Sequence, residues 1–250
     1  MPRCPKPAAS PRTLSTMTTL ELHLIFDADD TLWENNIHFE QAIEDFLDFL
    51  DHSTLSRQEV RAVLDEIEHA GLGPGGYGSA AFTRSLRLCY ERLAERHIAE
   101  DDLRTVMAFG ERILAMPITL LDGVRETLER LAARHDLTMM TKGHHEEQRL
   151  KIERSGIGHL FRHAEVVPEK DAAAYHALVD RLGLAPARTW MIGNSPKSDI
   201  NPALAAGMNA VFIPHHATWR LEHQDVNDQS GPGRLLVLER FRDLERHFLD

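Results

Sequence analysis

The segment Leu24-Ile25-Phe26-Asp27-Ala28-Asp29-Asp30-Thr31-Leu32 constrains this chain more than any other. A short apolar run stops abruptly at three carboxylates within four residues. Glu21 to Phe26 reads as a buried strand of a parallel sheet. In open α/β sheets, ligands bind beyond the carboxyl ends of the strands. Asp27 would stand at such an end, and Asp29, two residues on, can project to the same side. Like charges about 4 Å apart repel by roughly 4 kcal/mol at an effective dielectric near 20. Such a cluster implies a bound cation, a shifted pKa, or both. A helix cap needs one Asp, not a cluster behind a strand.

Other apolar runs end in the same way. Leu137 to Met140 runs into Thr141-Lys142-Gly143, and a helical pattern starts near His144. A hydroxyl and a Gly amide at a helix N-terminus make an anion site. Glu165-Val166-Val167 precedes Pro168-Glu169-Lys170-Asp171. Thr189 to Ile192 runs into Gly193-Asn194-Ser195-Pro196-Lys197-Ser198-Asp199-Ile200. Asn209 to Ile213 reads as a fifth strand, and Leu235 to Leu238 as an edge strand before a final helix. Helical patterns at Val124 to Ala133, Gln148 to Gly156, Ala172 to Leu182 and Ile200 to Ala206 lie between them. This alternation predicts an α/β fold with an open, mostly parallel, Rossmann-like sheet.

About a hundred residues separate the first two strand ends, whereas a crossover needs about a dozen. The excess is helical in period. Phe39, Ile43, Phe46, Leu47 and Leu50 fall on one face, as do Val60, Val63, Leu64 and Ile67. Two further stripes follow, Phe82, Leu86, Cys89, Tyr90 and Leu93, then Leu103, Val106, Phe109 and Ile113. Four amphipathic helices predict a small inserted bundle. Its boundaries fall near Trp33 to Asn36 and near Met116 to Leu120, where Pro117 interrupts the helix. The expected organisation is a tail over 1–19, a core over 20–34 and 118–250, and the helical insert over 35–117.

The order of strand-end residues resembles the haloacid dehalogenase superfamily. Its four motifs match Asp27-x-Asp29-x-Thr31, then Thr141, then Lys170, then Gly193-Asn194 with Asp199. Each motif alone is weak, but four in order, each behind a strand, are a strong signal. The resemblance spans roughly Glu21 to Phe241 and implies that the insert is a cap closing over the core site. It implies a phosphatase with Asp27 as nucleophile and Asp29 as general acid, then base. A phosphate dianion cannot approach several bare carboxylates, so a divalent cation is expected, and oxygen ligands favour Mg²⁺. By resemblance its ligands are the Asp27 carboxylate, the Asp29 carbonyl and the fourth motif. Thr141, the Gly143 amide and Lys170 would hold phosphate oxygens.

Asn194 stands where many relatives have Asp and brings no charge. Asp199 is therefore the expected main ligand there, with Asn194 a ligand or a support. Lys142 replaces a frequent Asn, and a solvated or a substrate-facing charge are both open. Asp30 is expected to cap the following turn. The expected activity is Mg²⁺-dependent hydrolysis of a small phosphorylated metabolite. Alternatives on the same fold are a 2-haloacid dehalogenase, a phosphomutase and an inactive partner protein. Breaking a carbon–halogen bond needs no acid, so Asp29 favours phosphate.

A net charge of −11 over 250 residues argues against nucleic acid or anionic membranes as partners. No apolar run approaches transmembrane length. Cys4 and Cys89 have no metal or redox spacing, so a reducing cytoplasm is the default. A monomer or homodimer is expected. The first 19 residues carry four prolines among Ser, Thr and basic residues, and read as a disordered tail. His144-His145-Glu146-Glu147 reads as a solvated helix start, His215-His216 as a surface loop, and Gly71 to Gly76 as a turn within the insert. Trp33 and Trp219 read as packing residues.

Overall fold

The computed structural model describes residues 22–72, 76–228 and 231–250. The tail, the expected strand start at Glu21 and the centre of the glycine-rich turn lie outside the described residues. Strands β1 (His23–Phe26), β2 (Asp136–Lys142), β3 (His163–Val167), β4 (Thr189–Gly193), β5 (Asn209–Phe212) and β6 (Leu235–Val237) form one sheet. Its order is β3-β2-β1-β4-β5-β6, and every neighbouring pair is parallel. The chain steps outward from β1 to β3, then returns past β1 to build the other half. The strand order therefore reverses beside β1 and β4, the place where such sheets open a crevice.

Period-two alternation divides the strand side chains between two layers. Leu24 and Phe26 of β1 pack against α5 (Val124–Ala132) and α9 (Leu244–Phe248), through Leu128, Leu131, Leu244 and Phe248. Ile25 faces the other way, toward Tyr175 and Leu178 of α7 (Ala172–Leu182) and Ala203 of α8 (Asn201–Ala205). β1 is covered on both faces, which explains its unbroken apolar sequence.

Between β1 and β2 the chain forms α1 (Asn36–Leu50), α2 (Arg57–Ala70), α3 (Ser79–Leu93) and α4 (Glu100–Glu111). Each has a local cause. Ser56 and Glu59 close a reciprocal capping box at the start of α2. Glu100, Asp101 and Asp102 place negative charge at the positive end of α4. A tight turn over Arg112–Ala115 ends the bundle just before Pro117. The apolar stripes meet in a cluster of their own, around Phe46, Leu64, Leu86 and Val106. The two connecting segments are tied together: Glu34 N donates to Thr119 O at 2.9 Å, and Leu121 N to Leu32 O at 3.0 Å.

Candidate active site

The register of β1 against β4 sets Phe26 opposite Ile192. Asp27 N donates to Ile192 O at 2.9 Å, so the first and fourth motifs leave the sheet side by side. The Asp27 carboxylate is buried. Thr31 Oγ1 lies 2.9 Å from Asp27 Oδ2 and 3.1 Å from Asn194 Oδ1. Lys170 Nζ donates to Asp27 Oδ1, and to Asp199 Oδ1 at 2.8 Å. Burial pushes the Asp27 carboxyl up to about 7, Asp199 adds to the rise, and Lys170 opposes it. Burial alone would lower the Lys170 ammonium, but Asp199 and Asp27 outweigh it and hold it raised.

Both oxygens of Asp199 have a partner. Its Oδ1 meets Lys170, and its Oδ2 accepts from Ser195 N at 2.9 Å. The carboxylate folds back over Gly193, where any Cβ would collide with it, so this strand end needs glycine. Asn194 donates through Nδ2 to Thr218 Oγ1 at 2.8 Å, which fixes Oδ1 toward Thr31 and Asp27.

Asp29 is held by three donors. Trp33 Nε1 lies 2.7 Å from Oδ1, Lys151 Nζ 2.9 Å and Gln148 Nε2 3.0 Å from Oδ2. Gln148 Nε2 also donates to Thr141 Oγ1 at 2.6 Å. These contacts link the first and second motifs. Trp33 is thus both a packing residue and a donor, which sequence reasoning missed. Asp30 caps as expected: its Oδ1 accepts from Asn35 N at 2.9 Å and Asn36 N at 3.0 Å. Its φ of 60° shows why glycine would also suit this position.

Four expectations change. Gly143 N donates to Val167 O at 3.2 Å, because β2 pairs with β3 through Lys142. Its amide is spent on the sheet and is not an anion donor. Of the two open readings of Lys142 the solvated one falls, while the residue lines the site cavity. Its Nζ lies 2.6 Å from Glu222 Oε1, 2.8 Å from Ser198 Oγ and 3.1 Å from Glu169 Oε1. Glu147 is buried rather than solvated, and accepts from Ser79 N at 3.0 Å and Ser79 Oγ at 3.0 Å. It caps α3 across 68 residues of sequence, and Gly78 keeps the space for it. His215 is also withdrawn from solvent, with Nε2 3.4 Å from Glu34 and Nδ1 3.8 Å from Asp30.

Further contacts join the helical insert to the sheet. Tyr77 Oη donates to Glu169 Oε2 at 2.6 Å, and Arg220 Nη1 lies 3.0 Å from Asp65. Beneath them lies a cavity of about 230 Å³. Asp27, Asp29, Thr141, Lys170 and Asn194 line its floor, and Tyr77 and Trp219 line its wall.

The model of haloacid dehalogenase-like hydrolases matches residues 23–207, most of the chain and all four strand ends. The chain belongs to this family. A haloacid dehalogenase-like hydrolase from Xanthomonas campestris is 30% identical, with a TM-score of 0.72 over 91% of this chain and 95% of its own. A family hydrolase from Bacillus subtilis, bound to magnesium, is 16% identical, with a TM-score of 0.62 over 93% of this chain and 100% of its own. A 2-haloacid dehalogenase from Pseudomonas syringae is 19% identical, with a TM-score of 0.58 over 90% and 96%. The latter two share the fold of this hydrolase. Among curated proteins none matches the sequence. No described helix of the hydrolase is long and apolar enough to cross a membrane.

Proposed function

We propose that the protein is a Mg²⁺-dependent phosphomonoesterase acting on a small phosphorylated metabolite. The observation that carries this reading is Asp29, a carboxylate two residues beyond Asp27, held on the floor of the same cavity by Trp33, Gln148 and Lys151. A dehalogenase has no use for it.

In this reading an Asp27 oxygen attacks phosphorus and the ester P–O bond breaks. Asp29 gives a proton to the leaving oxygen. Water then attacks the aspartyl-phosphate, and Asp29 takes its proton. Inorganic phosphate leaves and the Asp27 carboxylate returns. All three partners of Asp29 are donors, which suits the ionised base of the second half. Thr141 and Lys170 hold phosphate oxygens, and Lys170 supplies fixed positive charge where negative charge develops.

The donor set fits Mg²⁺, since the oxygens of Asp27 and Asn194 already converge on one hydroxyl. Asp27, the Asp29 carbonyl and Asn194 Oδ1 would hold the ion, which would neutralise the approaching phosphate. Asp199, the main ligand expected from sequence, is read instead as positioning Lys170 and the fourth motif, since each of its oxygens already has a partner. We further read α1 to α4, with the boundaries expected from sequence, as a cap over the cavity.

The test is hydrolysis of a panel of phosphorylated metabolites with and without Mg²⁺. Activity without dependence on a divalent ion would sink the reading. Asn194→Asp should lower the half-saturating Mg²⁺ concentration about ten-fold, equivalent to roughly 1.4 kcal/mol. One added charge gains several kcal/mol gross, and desolvation and the nearby carboxylates cancel most of it. An unchanged half-saturation point would place Asn194 outside the ion's reach.

Tyr77→Ala removes the Glu169 contact and one cavity wall. It should change preference among metabolites more than it changes hydrolysis of 4-nitrophenyl phosphate. Equal losses on every substrate would show a folding role instead.

A further inference from the structure

The cavity does not end at the strand ends. It continues between the helices of the insert, past Phe39 and Ile43 of α1, Ile67 of α2, and Phe82 and Leu88 of α3. Two carboxylates interrupt this apolar wall, and one of them, Glu40, is already paired with Arg61. Glu68, on the last turn of α2, also lines the cavity. Its Oε2 is buried and has no hydrogen-bond partner among the described residues. A buried acceptor left unmade costs the full desolvation of that group. Native structures tolerate such an atom where it serves another purpose.

The neighbours of Glu68 do not satisfy it. Arg61 lies two turns back on the same helix. Its guanidinium is already held by Glu40 at 2.6 Å and Asp65 at 2.8 Å. Burial pushes the Glu68 carboxyl up to about 7, Arg61 opposes the rise, and Asp65 and Glu40 add to it. Cys89, from α3, is close enough that the Glu68 carboxylate adds to the rise of its thiol, which burial causes in the main. Arg84 lines the cavity as well and has contacts of its own.

We propose that Glu68 recognises the leaving portion of the substrate, and that the cavity takes a phosphate monoester whose alcohol has an apolar, ring-sized body ending in a protonated amine. The inference rests on the phosphatase reading for the identity of the reacting end. Size supports it: an apolar cavity of about 150 Å³ accommodates benzene, and this one has about 230 Å³. Charge supports it too. A second anionic group would meet Glu40 and Glu68, whereas an ammonium supplies the donor and the countercharge that the Glu68 carboxylate lacks, once a side-chain rotation turns its buried Oε2 into the cavity.

The test compares 4-(aminomethyl)benzyl phosphate with 4-ethylbenzyl phosphate, a neutral ester of similar shape, in Mg²⁺. Binding of the two corresponding alcohols is followed by saturation-transfer NMR. The wild-type protein should favour the amine in kcat/KM. Glu68→Gln and Glu68→Leu should each lower that ratio about ten-fold, the scale of one hydrogen bond to a charged group. Melting temperature in Glu68→Leu should hold or rise, since an unsatisfied buried group is removed. A ratio unmoved in both variants overturns the inference and leaves the phosphatase reading standing. If neither these esters nor the metabolite panel is hydrolysed but the amino alcohol binds in a Glu68-dependent way, the phosphatase reading falls and the amine site stands. Neither hydrolysis nor binding overturns the inference as well.

Discussion

Asp27→Asn should abolish turnover, by roughly 10⁴-fold or more, while leaving the fold intact. The amide keeps the size of the side chain but cannot form an acyl-phosphate. Its oxygen can still accept from Thr31, which lies 2.9 Å from the carboxylate now. Lys170 loses one charged partner and keeps Asp199 at 2.8 Å. The pKa argument gives the sign of the stability change. Asp27 is raised from its ordinary value of 3.8 to about 7, so the folded protein binds its proton more tightly than the unfolded chain does. Ionising Asp27 therefore costs stability, progressively, as pH rises from about 4 to about 7. The variant lacks this slope, and its melting temperature should compare best with wild type near neutral pH. Turnover and covalent phosphate incorporation, followed by mass spectrometry on freshly purified protein, are the measurements. Near-wild-type activity would remove Asp27 from the role of nucleophile.

The strand-end chemistry was legible because it lies on a period-two pattern. The apolar runs end at or within two residues of where the backbone leaves the sheet, so position along the strand predicts which residues come near the crevice. Asp27, Thr141, Lys170 and Asn194 all line the cavity floor on this basis. What stayed hidden depends on contacts far apart in sequence. Glu147 looked like a solvated helix start until Ser79, 68 residues earlier, was placed against it. His215 is drawn back from solvent beside Glu34 and Asp30, which lie about 180 residues earlier in the chain. The Gly143 amide was misjudged because β2 runs two residues past its apolar stretch, a matter of pairing with β3 rather than of hydropathy. Glu68 had no sequence signal at all. Beside Ile67 it reads as an ordinary polar position of an amphipathic helix, and only the packing of α2 on α1 and α3 turns it inward.

Lys170→Met should remove turnover and also destabilise the protein, unlike the change at Asp27. The ammonium stands between Asp27 and Asp199, and all three side chains are almost fully buried. Removing one partner of a buried ionic group costs about 3–5 kcal/mol, because the charges left behind are uncompensated. For a chain of this size that corresponds to a fall of about 10 °C in Tm. The deficit should depend on pH. Lys170 is what opposes the rise of the Asp27 pKa, so its loss sends that pKa beyond about 7. At pH 5.5 Asp27 keeps its proton, one uncompensated charge is gone, and the deficit shrinks. At pH 8 the proton is more costly to keep, and the deficit is largest. Mg²⁺ provides a second handle. An ion held by Asp27 and Asn194 would return positive charge to the cluster, so it should raise the Tm of the variant more than that of wild type. Thermal unfolding of both proteins at the two pH values, with and without Mg²⁺, separates the possibilities. Equal stability at both pH values would mean that Asp27 and Asp199 do not need the lysine's charge. Equal stabilisation by Mg²⁺ would mean that the ion binds beyond the electrostatic reach of the Asp27–Asp199 pair, and the proposed ligand set would fail.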